Sequence, residues 1–259
     1  MLKLNKALYG IKQAPREWNK NISNFIKNEL KFTQCVKDTC VYVKKSKKNN
    51  NIIIGLFVDD TVTSHVKDDD DEYNELIDKL KKKYEMSDLG EVSHILGMRV
   101  RREKDTLYID QKVYVDEKLK QFKMNDCKTV TTPETLDKLT KNVDKNSIEN
   151  EDEYRSIVGS LIYASVSTRP DITHAVNMVS RHMHEPNATH MNAAKRILRY
   201  LKESSDCGLV YTNTYKKSSH VNTTWTPRDH HVKNNEIIIE AFCDADWGGD
   251  LDDRKSTTG

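Results

Sequence analysis

The segment Ile52-Ile53-Ile54-Gly55-Leu56-Phe57-Val58 constrains the fold more than any other. Its seven residues carry no charge, most are β-branched or aromatic, and they run straight into Asp59-Asp60. A short continuous apolar run of this kind reads as a strand buried on both faces. Thr61 to Val66 resumes as a second strand, so the economical reading is a hairpin with two carboxylates at its turn. Two readings of the doublet stand at this point. Asp is common in turns because its side chain bonds the local backbone. A doublet at the tip of a fully apolar strand is less common, which leaves a functional pair open.

The flanking segments supply partners for that hairpin. Trp18, Ile22, Phe25, Ile26 and Leu30 share one helical face over Pro15 to Leu30, with the proline allowed in a first turn. Asp38 to Lys45 alternates as a strand, and Lys47 to Asn51 is a polar turn. From Asp70 to Tyr84, Tyr73, Leu76, Ile77, Leu80 and Tyr84 form the apolar face of a helix with an acidic start. A second hairpin, Ile95 to Arg101 and Leu107 to Asp110, turns across Glu103-Lys104-Asp105, and Lys112 to Phe122 is a short helix. This order predicts an α+β layer rather than a doubly wound sheet.

Met124 to Asn150, with many charges and few aromatics, reads as a linker. Beyond it Tyr154, Ile157, Val158, Leu161 and Ile162 share a helical face, and Arg169-Pro170-Asp171 breaks the chain. Ile172, Ala175, Val176 and Val179 then face inward on a second helix that Pro186 ends. His190, Ala193, Ala194, Ile197, Leu198 and Leu201 mark a third, and three helices with short joints predict a small bundle. The histidines here stand at no tight metal-ligand spacing, so solvated or internally satisfied rings are expected. Leu209 to Tyr211 reads as a strand, and Ile237 to Cys243 as another that meets an acidic patch at Asp244, Asp246 and Asp250.

Composition narrows the class. Only 36% of residues are hydrophobic and 32% are charged, so the core is thin for the length. The formal net charge of +2 gives no overall nucleic-acid signature. A binding face has to be local, as at Lys79 to Lys83 or Lys195 to Lys202, and each run reads equally as a solvated helix face. Five scattered cysteines without a CxxC pair point to reduced thiols and an intracellular, cytoplasmic chain, with the nucleus as the alternative. No signal peptide or membrane-length apolar run is visible, so no membrane partner is expected.

Ordered strings then carry a family resemblance across nearly the whole chain. Leu8-Tyr9-Gly10-Ile11-Lys12-Gln13-Ala14-Pro15-Arg16 resembles the LYGLKQSPR segment of copia-type retrotransposon reverse transcriptases, and Phe57-Val58-Asp59-Asp60 resembles their YVDD box. Asp88-Leu89-Gly90-Glu91 with Ile95-Leu96-Gly97-Met98 resembles the DLGE and LGM stretch near the primer grip. Val158 to Tyr163, Thr168 to Ile172 and Ile197 to Lys202 resemble the segments joining polymerase to ribonuclease H. Asp244-Ala245-Asp246-Trp247 with Asp253 to Gly259 resembles the start of that ribonuclease H domain.

The resemblance implies an α+β fold laid out as a partial palm with a thumb-like region (1–123), a linker (124–150), a helical connection and polar loop (151–235) and the start of a ribonuclease H-like domain (236–259). It implies Asp59 and Asp60 as catalytic metal ligands and Asp244 as the first ribonuclease H carboxylate. Gly10, Lys12, Gln13, Arg16 and Phe57 then lie by nucleotide and template, and Leu96, Gly97 and Met98 in the primer grip. The implied cofactor is Mg²⁺, with Mn²⁺ able to replace it. The implied partners of the intact parent are an RNA template, a DNA primer or RNA–DNA hybrid, and a deoxynucleoside triphosphate.

Phe57 stands where the family has Tyr, which keeps a ring and loses a hydroxyl. The family's other metal-binding Asp precedes the LYGLKQSPR segment, whereas here Met1 lies eight residues before Tyr9. The expectation is a polymerase fragment without activity alone. The alternative is a non-catalytic nucleic-acid-binding or structural remnant.

Overall fold

The computed structural model describes residues 7–8, 10–135, 139–140, 148 and 150–212. They fall into two compact units that divide between Val92 and Ser93.

In the first unit, α1 (Ala14–Asn24) begins with Pro15 in its first turn, where a missing N–H breaks no helical bond. It runs into a wider turn, Phe25–Glu29, in which the Leu30 N–H reaches back to the Phe25 carbonyl at 3.1 Å. Four strands follow, β1 (Thr33–Gln34), β2 (Val41–Lys45), β3 (Asn51–Phe57) and β4 (Asp60–Ser64), in one antiparallel sheet of order β1-β2-β3-β4. The strand expected from Asp38 starts only at Val41. The Asp38 carboxylate accepts from the Cys40 N–H at 2.8 Å and its carbonyl from the Val41 N–H at 3.1 Å, which makes a turn of the first residues. Helix α2 (Asp70–Lys83) carries three acids in its first turn and three lysines in its last, both favourable against the helix dipole.

β3 is not buried on both faces. Ile52, Ile54 and Leu56 are buried with Ile22 and Ile26 of α1, Leu76 and Leu80 of α2, and Tyr42. Ile53 and Gly55 are half-buried, and Phe57 is 53% exposed. The helices pack on one face of the sheet, so an uninterrupted apolar run is buried in alternation. Pairing of Phe57 with Asp60, and of Gly55 with Val62, sets these four residues on the other face.

In the second unit, β5 (His94–Ile95), β6 (Met98–Glu103), β7 (Thr106–Asp110) and β8 (Gly208–Thr212) form a second antiparallel sheet in chain order. Helices α3 (Lys112–Gln121), α4 (Glu151–Ser167), α5 (Thr173–Ser180) and α6 (Ala188–Glu203) share one core. Its centre is Val115, Leu119, Tyr154, Ile157, Leu161, Val176, Ala194 and Leu198. The expected three-helix bundle is therefore joined by α3. Ile162, expected inward, is 38% exposed on the flank of α4.

Asparagines start two of these helices. Asn150 accepts from the Glu153 N–H at 3.0 Å, and Asn187 from the His190 N–H at 3.0 Å. The His190 Nδ1 accepts in return from the Asn187 N–H at 3.1 Å, closing a capping box with the ring stacked on His182. The described part of the composition-based linker lies against this core: Met124 is buried and Cys127 packs beside it.

Candidate functional site

Pairing of Phe57 with Asp60 leaves Val58 and Asp59 as the two residues of the β3–β4 turn. A two-residue hairpin requires a left-handed residue, usually Gly or Asn. Here it is Val58, at φ +50°. A β-branched side chain is unfavourable in that region, and such strain persists only where the surroundings hold it. One restraint is visible: the Trp18 indole N–H, from α1, donates to the Val58 carbonyl at 2.7 Å. Trp18 is itself set edge-on to Tyr84 at 5.3 Å, and the Tyr84 hydroxyl donates to Asn21 Oδ1 at 2.7 Å. Burial pushes the Tyr84 phenol pKa up, which keeps it a neutral donor.

The turn presents Asp59 and Asp60 exposed, and their carboxylates have no hydrogen-bond or ion-pair partner among the described residues. A carboxylate held on a rigid tip with its lone pairs free can accept a cation, a water or a phosphate-bound metal. Among the described residues no group of three or more His, Cys, Asp or Glu could hold a metal ion. The pair by itself is not such a group, and its oxygens are hard donors by chemistry alone.

Helix α1 meets this turn through Trp18, and a short segment precedes the helix. Gly10 adopts φ +88°, open to glycine without strain, and nothing would crowd a Cβ there. Ile11 and Ala14 close successive turns onto the carbonyls of Leu8 and Ile11 at 3.4 and 3.1 Å. Lys12, Gln13 and Arg16 follow, all exposed at the start of α1.

Leu96 and Gly97 form the two-residue turn of the β5–β6 hairpin in the second unit, with Met98 opening β6 opposite Ile95. Both turn residues are left-handed, Leu96 at φ +49° and Gly97 at φ +71°. The Tyr163 hydroxyl of α4 donates to the Leu96 carbonyl, and Tyr163 rests edge-on against Tyr114 at 5.0 Å. Asp244 and the stretch from 236 to 259 lie outside the described residues.

Three residues acquire roles that spacing alone did not reveal. Trp18 and Tyr163 counted only as apolar or motif positions, although an indole N–H or phenol in a half-buried setting calls for a partner. Arg169 looked like part of a chain break. It is 2% exposed and pairs with Asp171 at 2.7 Å while donating to the Ser204 carbonyl at 2.8 Å.

A family described as reverse transcriptase (RNA-dependent DNA polymerase) matches residues 1–136. The retrovirus-related Pol polyprotein from transposon TNT 1-94 of Nicotiana tabacum is 37% identical over 99% of this chain and 18% of its own length. That from transposon RE1 of Arabidopsis thaliana is 34% identical over 99% of this chain and 16% of its own length. An uncharacterized mitochondrial protein of Arabidopsis thaliana is 36% identical over 72% of this chain and 68% of its own. The chain thus spans less than a fifth of the length of these Pol polyproteins. No solved structure matches.

Proposed function

The chain belongs to the reverse transcriptase family, as found in copia-type retrotransposon Pol polyproteins, and from that premise we propose that its β3–β4 tip is the metal-binding part of an RNA-directed DNA polymerase site. The observation that carries the reading is the strained Val58 turn, which presents two unpartnered carboxylates on a rigid hairpin. Strain of that kind is kept where a site depends on it.

In this reading Asp59 and Asp60 hold Mg²⁺, or Mn²⁺ in its place. The bound ions would neutralise charge developing on the transferred phosphate and activate the primer 3′ hydroxyl. The remaining work falls to the chain's own groups. Phe57, exposed beside Asp60 on the same face of the sheet, offers a ring to the primer terminus. Gly10 lets backbone approach the nucleotide and template closely, with Lys12 and Arg16 set to neutralise phosphate and Gln13 to hydrogen-bond. The Leu96-Gly97 turn and Met98 position the primer strand by backbone and packing. The template is RNA, the primer DNA, and the incoming substrate a deoxynucleoside triphosphate.

Two carboxylates do not complete a two-metal site. The pair is proposed to act with a further carboxylate, because among the described residues no third His, Cys, Asp or Glu is grouped with it, and the chain tested by itself is not expected to extend a primer. The test has two arms. Mn²⁺ titration should broaden the Asp59 and Asp60 signals selectively in the native chain and not in Asp59→Asn. Primer extension should be absent for the chain alone. A titration without site-specific response removes the metal reading, and Mg²⁺-dependent synthesis abolished by Asp59→Asn removes the incompleteness.

A further inference from the structure

We propose that Trp18 is a positioning residue for the Asp59-Asp60 pair: its indole N–H holds the Val58 carbonyl and so fixes the left-handed turn that presents both carboxylates. The use of those carboxylates rests on the metal reading above; the holding of the turn does not.

The turn has an intrinsic reason to relax. Val58 at φ +50° carries a β-branched side chain where Gly or Asn is usual, and its side chain is 55% exposed, so packing does not hold it. The Asp59 and Asp60 carboxylates make no hydrogen bond or ion pair among the described residues. A hydrogen bond reaches the tip from another element at the Val58 carbonyl, 2.7 Å from Trp18 Nε1 and forty positions away in the chain. An indole has a single donor, so this bond uses its whole polar capacity.

The donor is held in turn. Trp18 lies edge-on to Tyr84 at 5.3 Å, Tyr84 lies edge-on to Phe25 at 5.5 Å, and Tyr84 is bonded to Asn21. Trp18, Asn21 and Phe25 follow one another along α1 and the turn that continues it. The same helix starts beside Gly10, Lys12, Gln13 and Arg16. Trp18 therefore ties the carboxylate turn to the helix that carries Arg16 and is preceded by Gly10, Lys12 and Gln13, and sets the spacing between the two groups.

The test uses Trp18→Phe in the full chain, with Tyr84→Leu for comparison. Phe keeps a ring against Tyr84 and loses the donor; Tyr84→Leu removes the ring support and leaves the donor. Trp18→Phe should speed amide exchange at Asp60 by about tenfold, the effect of losing one such bond. It should weaken Mn²⁺ binding at Asp59 and Asp60 by about the same factor, with the exchange of Ile54 and Leu76 amides unchanged. Tyr84→Leu should lower thermal stability with a smaller effect at Asp60. Unchanged Asp60 exchange in a folded Trp18→Phe protein overturns the proposal.

If Trp18→Phe does not fold, the native protein still decides. The Trp18 indole N–H should exchange as slowly as core amides, and exchange at the rate of a free indole overturns the proposal. A turn that loosens in Trp18→Phe, in a protein that never responds to Mn²⁺, removes the metal reading and leaves the positioning role standing.

Discussion

The hydroxyl of Tyr163, toward the C-terminal end of α4, bonds the backbone carbonyl of Leu96 at the tip of the β5–β6 hairpin, sixty-seven positions earlier in the chain. The hairpin tip is thus tied to α4, a helix of the same unit. Tyr163→Phe keeps the ring against Tyr114 and deletes only the donor. A net loss of about 1 kcal/mol is expected for one neutral hydrogen bond. Urea unfolding should show it, and amide exchange should rise at Gly97 and Met98 while Leu161 keeps its protection.

Gly97 and Gly90 separate backbone strain from crowding. Both are left-handed, at φ +71° and +75°, but a Cβ on Gly97 would come within 3.3 Å of the Tyr163 hydroxyl, and one on Gly90 would meet nothing within 4 Å. Gly90→Ala should cost about 1 kcal/mol, the strain of a side chain at positive φ. Gly97→Ala should cost more, about 2 kcal/mol, because the Tyr163 bond must also shift. Equal melting temperatures for the two variants contradict this.

Much of this architecture was legible in the sequence because its signals are local. The apolar spacing of α2 and α6, the hairpin around Asp59, and the break at Pro170 are all set by neighbours within four positions. What spacing could not show is long-range. The run from Ile52 to Val58 does not say how many layers cover it, and one layer leaves Phe57 open. The bonds from Trp18 to Val58 and from Tyr163 to Leu96 join residues whose separation carries no period. Asp59 and Asp60 were found as a doublet on an apolar strand, but the left-handed Val58 that presents them follows from register, not from residue type.

The basic face of α6 offers a test between a role inside the chain and a nucleic-acid contact. Arg196 donates to the Thr132 hydroxyl at 2.8 Å, Arg199 to the Lys128 carbonyl at 2.6 Å and Lys202 to the Cys127 carbonyl at 2.8 Å. These cations strap the segment after α3 onto the helix, which leaves them less free to meet phosphate. Arg199→Ala should raise proteolytic cutting near Lys128 severalfold and leave the salt dependence of RNA–DNA hybrid binding unchanged. A reduced salt slope would instead assign Arg199 to a phosphate contact.

The Arg169–Asp171 pair should control how the helical unit responds to acid. Burial alone would raise the Asp171 carboxyl, but hydrogen bonds from Arg169 and Tyr200 outweigh it and hold its pKa below the ordinary 3.8. A carboxylate depressed in the folded state stabilises above its unfolded pKa, and that contribution is lost as pH falls through the folded value. Stability of this unit should therefore decline only on the acid side of the ordinary carboxylate range. Arg169→Met removes the counter-charge and leaves the Ser204 carbonyl without this donor. Breaking a buried pair costs about 3–5 kcal/mol, and the low end is expected because Asp171 is 39% exposed and can hydrate. In the variant, burial acts on Asp171 without Arg169, so its pKa rises and acidification relieves a buried charge. The gap between native and variant stability should then narrow from pH 6 to pH 3. Urea unfolding at the two pH values measures it, and a gap that stays constant would show that Arg169 acts through packing rather than through the charge on Asp171.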